Sequence, residues 1–195
     1  MEKIYETLIQ SLLEKGFGSV VGWFSSEEIS GLREALKNRY DQDAFRIAAI
    51  GKGAVKTKET SIRNDQIHWL NKTDLVPQES CFFTKIDGFI EYLNRTCYAG
   101  IRSSEFHYAV YEKGSFYRRH VDQFNNDDRR KFSMVMYLTE DWKDGDGGEL
   151  MLYGDETTKI EPIGGKIVIF SSEIEHEVLL SSHQRLSLTG WLRSI

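Results

Sequence analysis

At 195 residues with 40% hydrophobic content, the chain is long enough for one sizeable core and short for two independent domains, so a single domain over residues 1–195 is expected. A net charge of -5 and a pI near 5.6 exclude a general nucleic-acid binder, because neutralising phosphates needs a basic face that this composition supplies only in short patches. No run approaches the ~18 apolar residues of a membrane span, and the N-terminal MEKIYETLIQSLLEKG carries Glu2, Glu6 and Glu14 where a signal peptide would be apolar, so no membrane partner and a cytoplasmic location are expected.

Ile4, Leu8 and Leu12 recur at helical spacing beside Tyr5, Ile9 and Leu13, which predicts a helix over residues 2–15 ended by Gly16. Residues 18–24 are short, apolar and Val-rich, as in a strand. Ser25-Ser26-Glu27-Glu28 then has the Ser-x-x-Glu form of a capping box, predicting a second helix over about residues 26–40 with Ile29, Leu32 and Leu36 inward. Residues 51–61, GKGAVKTKETS, lack apolar periodicity and read as an exposed, mobile connection, a candidate lid reaching to residue 65. Gly51-Lys52-Gly53 is not followed by the Gly-Lys-Ser/Thr ending of a phosphate loop. A third helix is predicted over roughly residues 84–94, with Ile86, Phe89, Ile90 and Leu93 buried. Cys81 and Cys97, without metal or redox spacing, read as buried reduced thiols.

From Ser104 onward the texture changes to eight β-rich runs separated by turns: SEFHYAVYE, SFYRRHVD, KFSMVMYLTE, GGELMLYG, TTKIEP, GKIVIFSS, HEVLLSS and RLSLTGWLRS. They predict an α+β, mainly β fold, a jelly roll of two sheets over residues 96–195, supported by the helical segment 1–95.

Within these runs lie His120-Val121-Asp122, then His176, then Arg185. Side chains of an extended segment alternate faces, so His120 and Asp122 point the same way and can reach one ion. Two imidazoles and one carboxylate leave open positions on a metal, the arrangement of non-haem Fe(II) oxygenases. Arg185 shares a strand face with Ser187, Thr189 and Trp191, while Leu186, Leu188 and Leu192 take the other. A buried guanidinium needs an anion, and its planar fork suits the far carboxylate of a dicarboxylic keto acid. Tyr111 and Tyr137, in neighbouring predicted strands, add hydroxyls, and the interval from His176 to Arg185 suits one hairpin.

Each element alone has a bland explanation: a surface pair for His-x-Asp, ordinary core for a tyrosine. Their combination favours a site. His183 competes with His176 as third ligand but sits in a Ser-Ser-His-Gln turn. His68 and His107 read as structural or lid-packing residues, and DWKDGDGGE, lacking calcium-loop spacing, as a hairpin turn.

With those residues in hand, the chain resembles the 2-oxoglutarate and Fe(II)-dependent prolyl 4-hydroxylases of the hypoxia-sensing type and their bacterial homologues. YRRHVD, MYLTEDW, GGELMLY, HEV and RLSLTGW stand in the family's order. IRNDQIHWL resembles its Arg-x-Asp-x-Ile-x-Trp signature, with Asn64 in place of the usual glycine, and the interval from Tyr111 to His120 is one residue shorter than in animal enzymes. The resemblance implies Fe(II) on His120, Asp122 and His176, and 2-oxoglutarate held by Arg185, Tyr111 and Tyr137 with Thr189 and Trp191 on the inner face. It implies substrate contacts at Arg63, Asp65, Trp69 and Arg119. O2 is the second co-substrate, succinate and CO2 the co-products, and ascorbate an accessory reductant. The substrate it implies is a proline in a protein loop, for the bacterial relatives that of elongation factor Tu. Hydroxylation of a free amino acid or other small molecule, a non-catalytic sensor binding metal and 2-oxoglutarate, and a zinc or manganese isomerase are the competing expectations.

Overall fold

In the computed structural model the described residues are 1–48, 61–123 and 127–194, so residues 51–60, most of the expected lid, lie outside them. Helix α1 (Glu2–Lys15) ends where Gly16 adopts φ 75 and its N–H reaches the Leu12 carbonyl. Strand β1 (Phe17–Val20) is shorter than expected. Gly22 turns the chain at φ 79, and Trp23 and Phe24 enter the core instead of extending the strand. Helix α2 (Ser26–Asp41) starts at the predicted capping box, with the Glu28 N–H donating to Ser25 Oγ and the Ser25 N–H to the Glu28 carboxylate.

Two short strands follow, β2 (Arg46–Ile47) and β3 (Gln66–Trp69), then helix α3 (Pro77–Cys97). It begins a full two turns before the predicted start. Pro77 occupies the first turn, where its missing N–H is not needed. Glu79 folds back to accept the Val76 N–H at 3.0 Å, and its buried carboxylate is forked by Arg39 at 2.8 Å through both Nε and Nη2. Phe82 and Phe83 thereby join Ile86, Phe89 and Leu93 on the buried side, while Ile90 is only partly covered. Cys81 is exposed beside Glu28 of α2, to whose carboxylate its thiol donates at 3.4 Å, and Cys97 is half-buried; both are free thiols, so the expectation of buried cysteines is corrected.

The eight predicted runs are strands β4 (Ser103–Tyr111), β5 (Tyr117–His120), β6 (Arg130–Tyr137), β7 (Leu150–Tyr153), β8 (Thr157–Ile160), β9 (Ile167–Ser171), β10 (Glu175–Val178) and β11 (Arg185–Arg193). They form a double-stranded β-helix, or jelly roll. The larger sheet has the order β1-β9-β6-β11-β4-β3-β2 and the smaller β5-β10-β7-β8, with every pairing antiparallel.

Because the chain repeatedly changes sheet, two expected hairpins do not form. β10 pairs with β5 and β7, whereas β11 pairs with β4 and β6, so residues 179–184 cross between sheets. DWKDGDGGE likewise carries the chain from β6 to β7 in the opposite sheet. Tyr111 and Tyr137 lie on strands that flank β11 on either side rather than on paired neighbours.

Alternation divides the core. Phe106, Tyr108 and Val110, with Met134, Met136, Leu186 and Leu188, face the helices and pack on Leu8, Leu32, Phe82 and Ile86. Ala109, Tyr111, Val135, Tyr137 and Phe170 face the smaller sheet, against Leu150, Leu152 and Val178. The helices thus stiffen one face of the larger sheet and leave the other to form a cavity. None of the helices among the described residues is long and apolar enough to cross a membrane.

Candidate active site

The pairing of β10 with β5 sets His176 opposite His120, and the register then slips so that Val178 faces Tyr117. This bulge turns both Tyr117 and His120 inward although they are three residues apart, leaving Arg118 and Arg119 exposed between them. Asp122 lies just beyond the strand, where its N–H donates to the Ser172 carbonyl at 3.2 Å. The same-face expectation for His120 and Asp122 therefore reaches the right arrangement, though a turn and not strand alternation delivers the carboxylate.

Nε2 of His120 lies 3.6 Å from Asp122 Oδ1, and Nε2 of His176 lies 3.4 Å from Asp122 Oδ2. One ligand atom from each residue falls within 4.8 Å of the others. Both rings are oriented from behind: His120 Nδ1 is 2.7 Å from the Arg118 carbonyl and His176 Nδ1 is 2.9 Å from the Ile174 carbonyl. A carbonyl only accepts, so each Nδ1 holds its proton, and in the neutral rings the Nε2 lone pairs converge. Ser133 Oγ donates to Asp122 Oδ2 at 2.7 Å and sits 2.9 Å from Ser172 Oγ.

The electrostatics are those of a compact, charge-coupled cluster. Burial disfavours the Asp122 carboxylate, yet His176 and His120 outweigh it and hold the group well below the usual range. Burial lowers His120; for His176 the same burial is overcome by the charge of Asp122, and the net shift is upward.

The cluster lies in a cavity of about 850 Å³ between the sheets, whose lining also includes Arg63, His107, Tyr111, Arg185, Thr189 and Trp191. Arg185 is only 2% exposed. Its guanidinium carbon stands 4.7 Å from the Tyr111 ring and 5.0 Å from the Tyr137 ring, and Nη1 donates to Ser187 Oγ at 3.3 Å. Among the described residues no carboxylate pairs with it, and its Nε and the Tyr137 hydroxyl lack a well-formed hydrogen bond. Gly148, at φ 73, lets the loop before β7 close over this arginine: an added Cβ would meet Arg185 Cδ at 2.9 Å. A two-nitrogen, one-oxygen donor set fits Fe(II), and an uncompensated buried cation in the same cavity fits the distal carboxylate of 2-oxoglutarate.

The remaining predicted residues are dispersed. Trp69, 44% exposed, stands at the cavity mouth with ring centroids 4.8 Å from His107 and 5.9 Å from Trp191. Arg63 lines the cavity, but Asp65 does not: it is fully buried and clamps Arg63 through Nε at 2.7 Å and Nη2 at 2.6 Å. Arg119, turned out by the bulge, pairs with Glu175 and covers the Tyr153 ring at 3.9 Å, outside the cavity lining. The expected substrate contacts at Asp65 and Arg119 are thus not where the cavity is. His183 is largely exposed and pairs with Asp146 at 3.0 Å, away from the cluster.

Among the other lining residues, the sequence reads His107 as structural and does not single out Ser133. His107 is 4% exposed, with Nδ1 unpartnered among the described residues, and Ser133 supports Asp122. Alternation pointed to both, since His107 shares a face with Tyr111 and Ser133 with Tyr137. Arg130 also lines the cavity, over the Trp191 ring at 3.5 Å and bonded to Glu105 at 2.9 Å.

Residues 106–193 match the model of the 2OG-Fe(II) oxygenase superfamily. A crystal structure of a Pseudomonas putida prolyl-4-hydroxylase is 31% identical, with a TM-score of 0.89 over 98% of this chain and 100% of that one. The chain therefore belongs to the 2OG-Fe(II) oxygenase superfamily. A Trichoplax adhaerens prolyl hydroxylase, solved in complex with a hypoxia inducible factor peptide fragment, shares the fold at 24% identity and TM-score 0.89 over 99% of this chain and 90% of that one. A PKHD-type hydroxylase of Synechocystis is 31% identical over 108 residues, 46% of this chain and 36% of that protein, so the match spans about a third of the curated relative.

Ser133→Ala removes the donor that fixes Asp122. Its Fe(II) or Mn(II) affinity, measured by anaerobic titration, is expected to fall about 10–100-fold with little change in fold. Burial, followed by the charges of Arg63 and Arg130, pushes His107 down to about 3. The unfolded chain takes up a proton near 6.5 and the folded chain does not, so this residue costs stability progressively as pH drops from 6.5 towards 3. Urea midpoints measured over that interval should fall less steeply for His107→Phe than for the parent.

Proposed function

We propose that the protein is a 2-oxoglutarate- and Fe(II)-dependent dioxygenase that hydroxylates peptidyl proline in a protein substrate, releasing succinate and CO2, with residues 1–195 acting as one oxygenase domain. The observation that carries this reading is the pairing, in one cavity, of the His120–Asp122–His176 cluster with a buried Arg185 that has no carboxylate partner among the described residues. Each half explains the other. A keto acid that chelates a metal at one end and carries a carboxylate at the other satisfies both.

In this reading His120, Asp122 and His176 hold Fe(II), with Ser133 and the two backbone carbonyls fixing the ligand orientation. Arg185 and Tyr137 bind the distal carboxylate, Tyr111 packs against the guanidinium, and Thr189 lies alongside on the same strand face. When bound, the iron and keto acid supply an O2-derived oxidant, with the electrons furnished by decarboxylation of 2-oxoglutarate. Trp191 and His107 wall the cavity and limit water, which would otherwise compete for the same positions. Trp69 stands at the mouth, where an incoming protein segment would pass.

The choice of peptidyl proline is supported by the end-to-end likeness to the Pseudomonas prolyl-4-hydroxylase and by the Arg63-x-Asp65-x-Ile67-x-Trp69 block leading from the segment before β3. The Trichoplax protein, which holds a peptide, shares this architecture. Elongation factor Tu is the first partner to try, in a cytoplasmic setting, and ascorbate the reductant to include.

Anaerobic protein loaded with Fe(II) and 2-oxoglutarate is to be given O2 together with elongation factor Tu or a lysate protein pool. The expected result is succinate coupled to a +16 Da shift on prolyl peptides, both lost in His120→Ala. Succinate stimulated by small molecules, with no modified protein, would replace the substrate assignment with a free amino acid or similar compound. No succinate under any condition would leave the sensor reading in its place.

A further inference from the structure

Strand β5 carries His120 and lies at the edge of the smaller sheet, so its outer side has no strand partner in that sheet. Residues 61–64 cover it. The Arg118 N–H donates to the Ile62 carbonyl at 2.9 Å, the Asn64 N–H to the Phe116 carbonyl at 3.4 Å, and Arg63 and Tyr117 form an antiparallel bridge. Asn64 tightens the contact with its side chain, accepting the Phe116 N–H at 2.9 Å and donating to the Gly114 carbonyl at 3.3 Å. Arg118 Nε adds a bond to the Ser61 carbonyl at 2.6 Å.

Inside this strap the side chains form a column. Asp65, fully buried, forks Arg63 through Nε and Nη2. The Arg63 guanidinium carbon lies 4.1 Å from the Tyr117 ring centroid. The Tyr117 ring in turn stacks on His120, with centroids 3.5 Å apart and planes inclined by 16°. A planar cation on one face of the tyrosine and an imidazole on the other leave the His120 ring little freedom to tilt.

We propose that Arg63 is a positioning residue for the metal site: the Asp65–Arg63–Tyr117 column holds the His120 ring in the orientation that binds metal, so residues 61–65 set how firmly the ion is retained. The inference rests on the metal-binding reading of the cluster and goes beyond it. It also revises the sequence-based role of Arg63, because two of its donors and one face are committed within the protein. Asp65 serves by fixing the plane of the guanidinium and by cancelling a positive charge that would otherwise stand near a divalent ion.

Breaking the ion pair on one side leaves the other charge buried, so a single substitution confounds fold with site. The paired change Arg63→Met with Asp65→Asn removes both charges, and Tyr117→Leu removes the ring while keeping apolar volume. The test titrates anaerobic apoprotein with Co(II), and records the resolved, paramagnetically shifted imidazole N–H signals of the cobalt-loaded protein alongside thermal unfolding. Expected is a 10–100-fold weaker Co(II) affinity in both variants, with the His120 signal displaced or broadened, the His176 signal retained and an unfolding temperature close to that of the parent. Affinity within twofold of the parent and an unmoved His120 signal would overturn the proposal. So would a loss of affinity that tracks unfolding temperature and affects both histidines alike, which marks a purely structural role. Failure of the parent to bind Co(II) at all would instead refute the metal-site reading, and this inference with it.

Discussion

The register that places His176 opposite His120 is the constraint on which the site depends. It joins an edge strand to the centre of the smaller sheet, and the bulge beside it turns Tyr117 inward with His120 while expelling Arg118 and Arg119. Asp122 completes the cluster only because the chain leaves β5 at that point and bonds to Ser172 at the end of β9. Three ligand-type side chains thus come from one strand, one turn and one neighbouring strand. Each is held by backbone that other pairings already fix, which is how a site becomes ordered before any ion arrives.

Around that cluster, charge is arranged unequally. Several partly buried arginines are paired: Arg39 with Glu79, Arg63 with Asp65, and Arg130 and Arg193 with Glu105. Arg185, more deeply buried than any of these, has no carboxylate partner among the described residues, and it sits where β11 enters the cavity between Tyr111 and Tyr137. An uncompensated buried charge costs several kcal/mol, which a protein tolerates where a ligand supplies the counter-ion. The fold maintains that cost by packing the helix-facing side of β11 with Leu186, Leu188 and Leu192, so the arginine has no route to solvent through the sheet.

Much of this was legible in the sequence because period-two alternation survives translation into structure. The eight β-rich runs are the eight strands from β4 onward, and the side of β11 that bears Arg185, Thr189 and Trp191 is the side facing the cavity. What alternation does not encode is which sheet a strand joins. The interval from His176 to Arg185 has the length of a hairpin, yet it crosses between sheets, and DWKDGDGGE does the same. Apolar spacing alone places helix α3 over about residues 84–94, whereas its true start lies at Pro77, in a first turn that tolerates proline, with Glu79 folding back on the helix start. Polar residues on inner faces were the other blind spot. Ser133 and His107 look like unremarkable strand residues until the cavity is seen, while Asp65 looks like a contact and proves to be a buried clamp.

In the proposed reading, Arg185 and the His120–Asp122–His176 cluster bind two ends of one molecule. The most direct measurement is calorimetric titration of 2-oxoglutarate into anaerobic, Mn(II)-loaded protein, comparing the parent with Arg185→Gln and repeating both without metal. Tight binding is expected only with metal and Arg185 together, with a loss of about 100-fold or more when either is removed. Equal affinity in Arg185→Gln, or binding indifferent to metal, would contradict that reading.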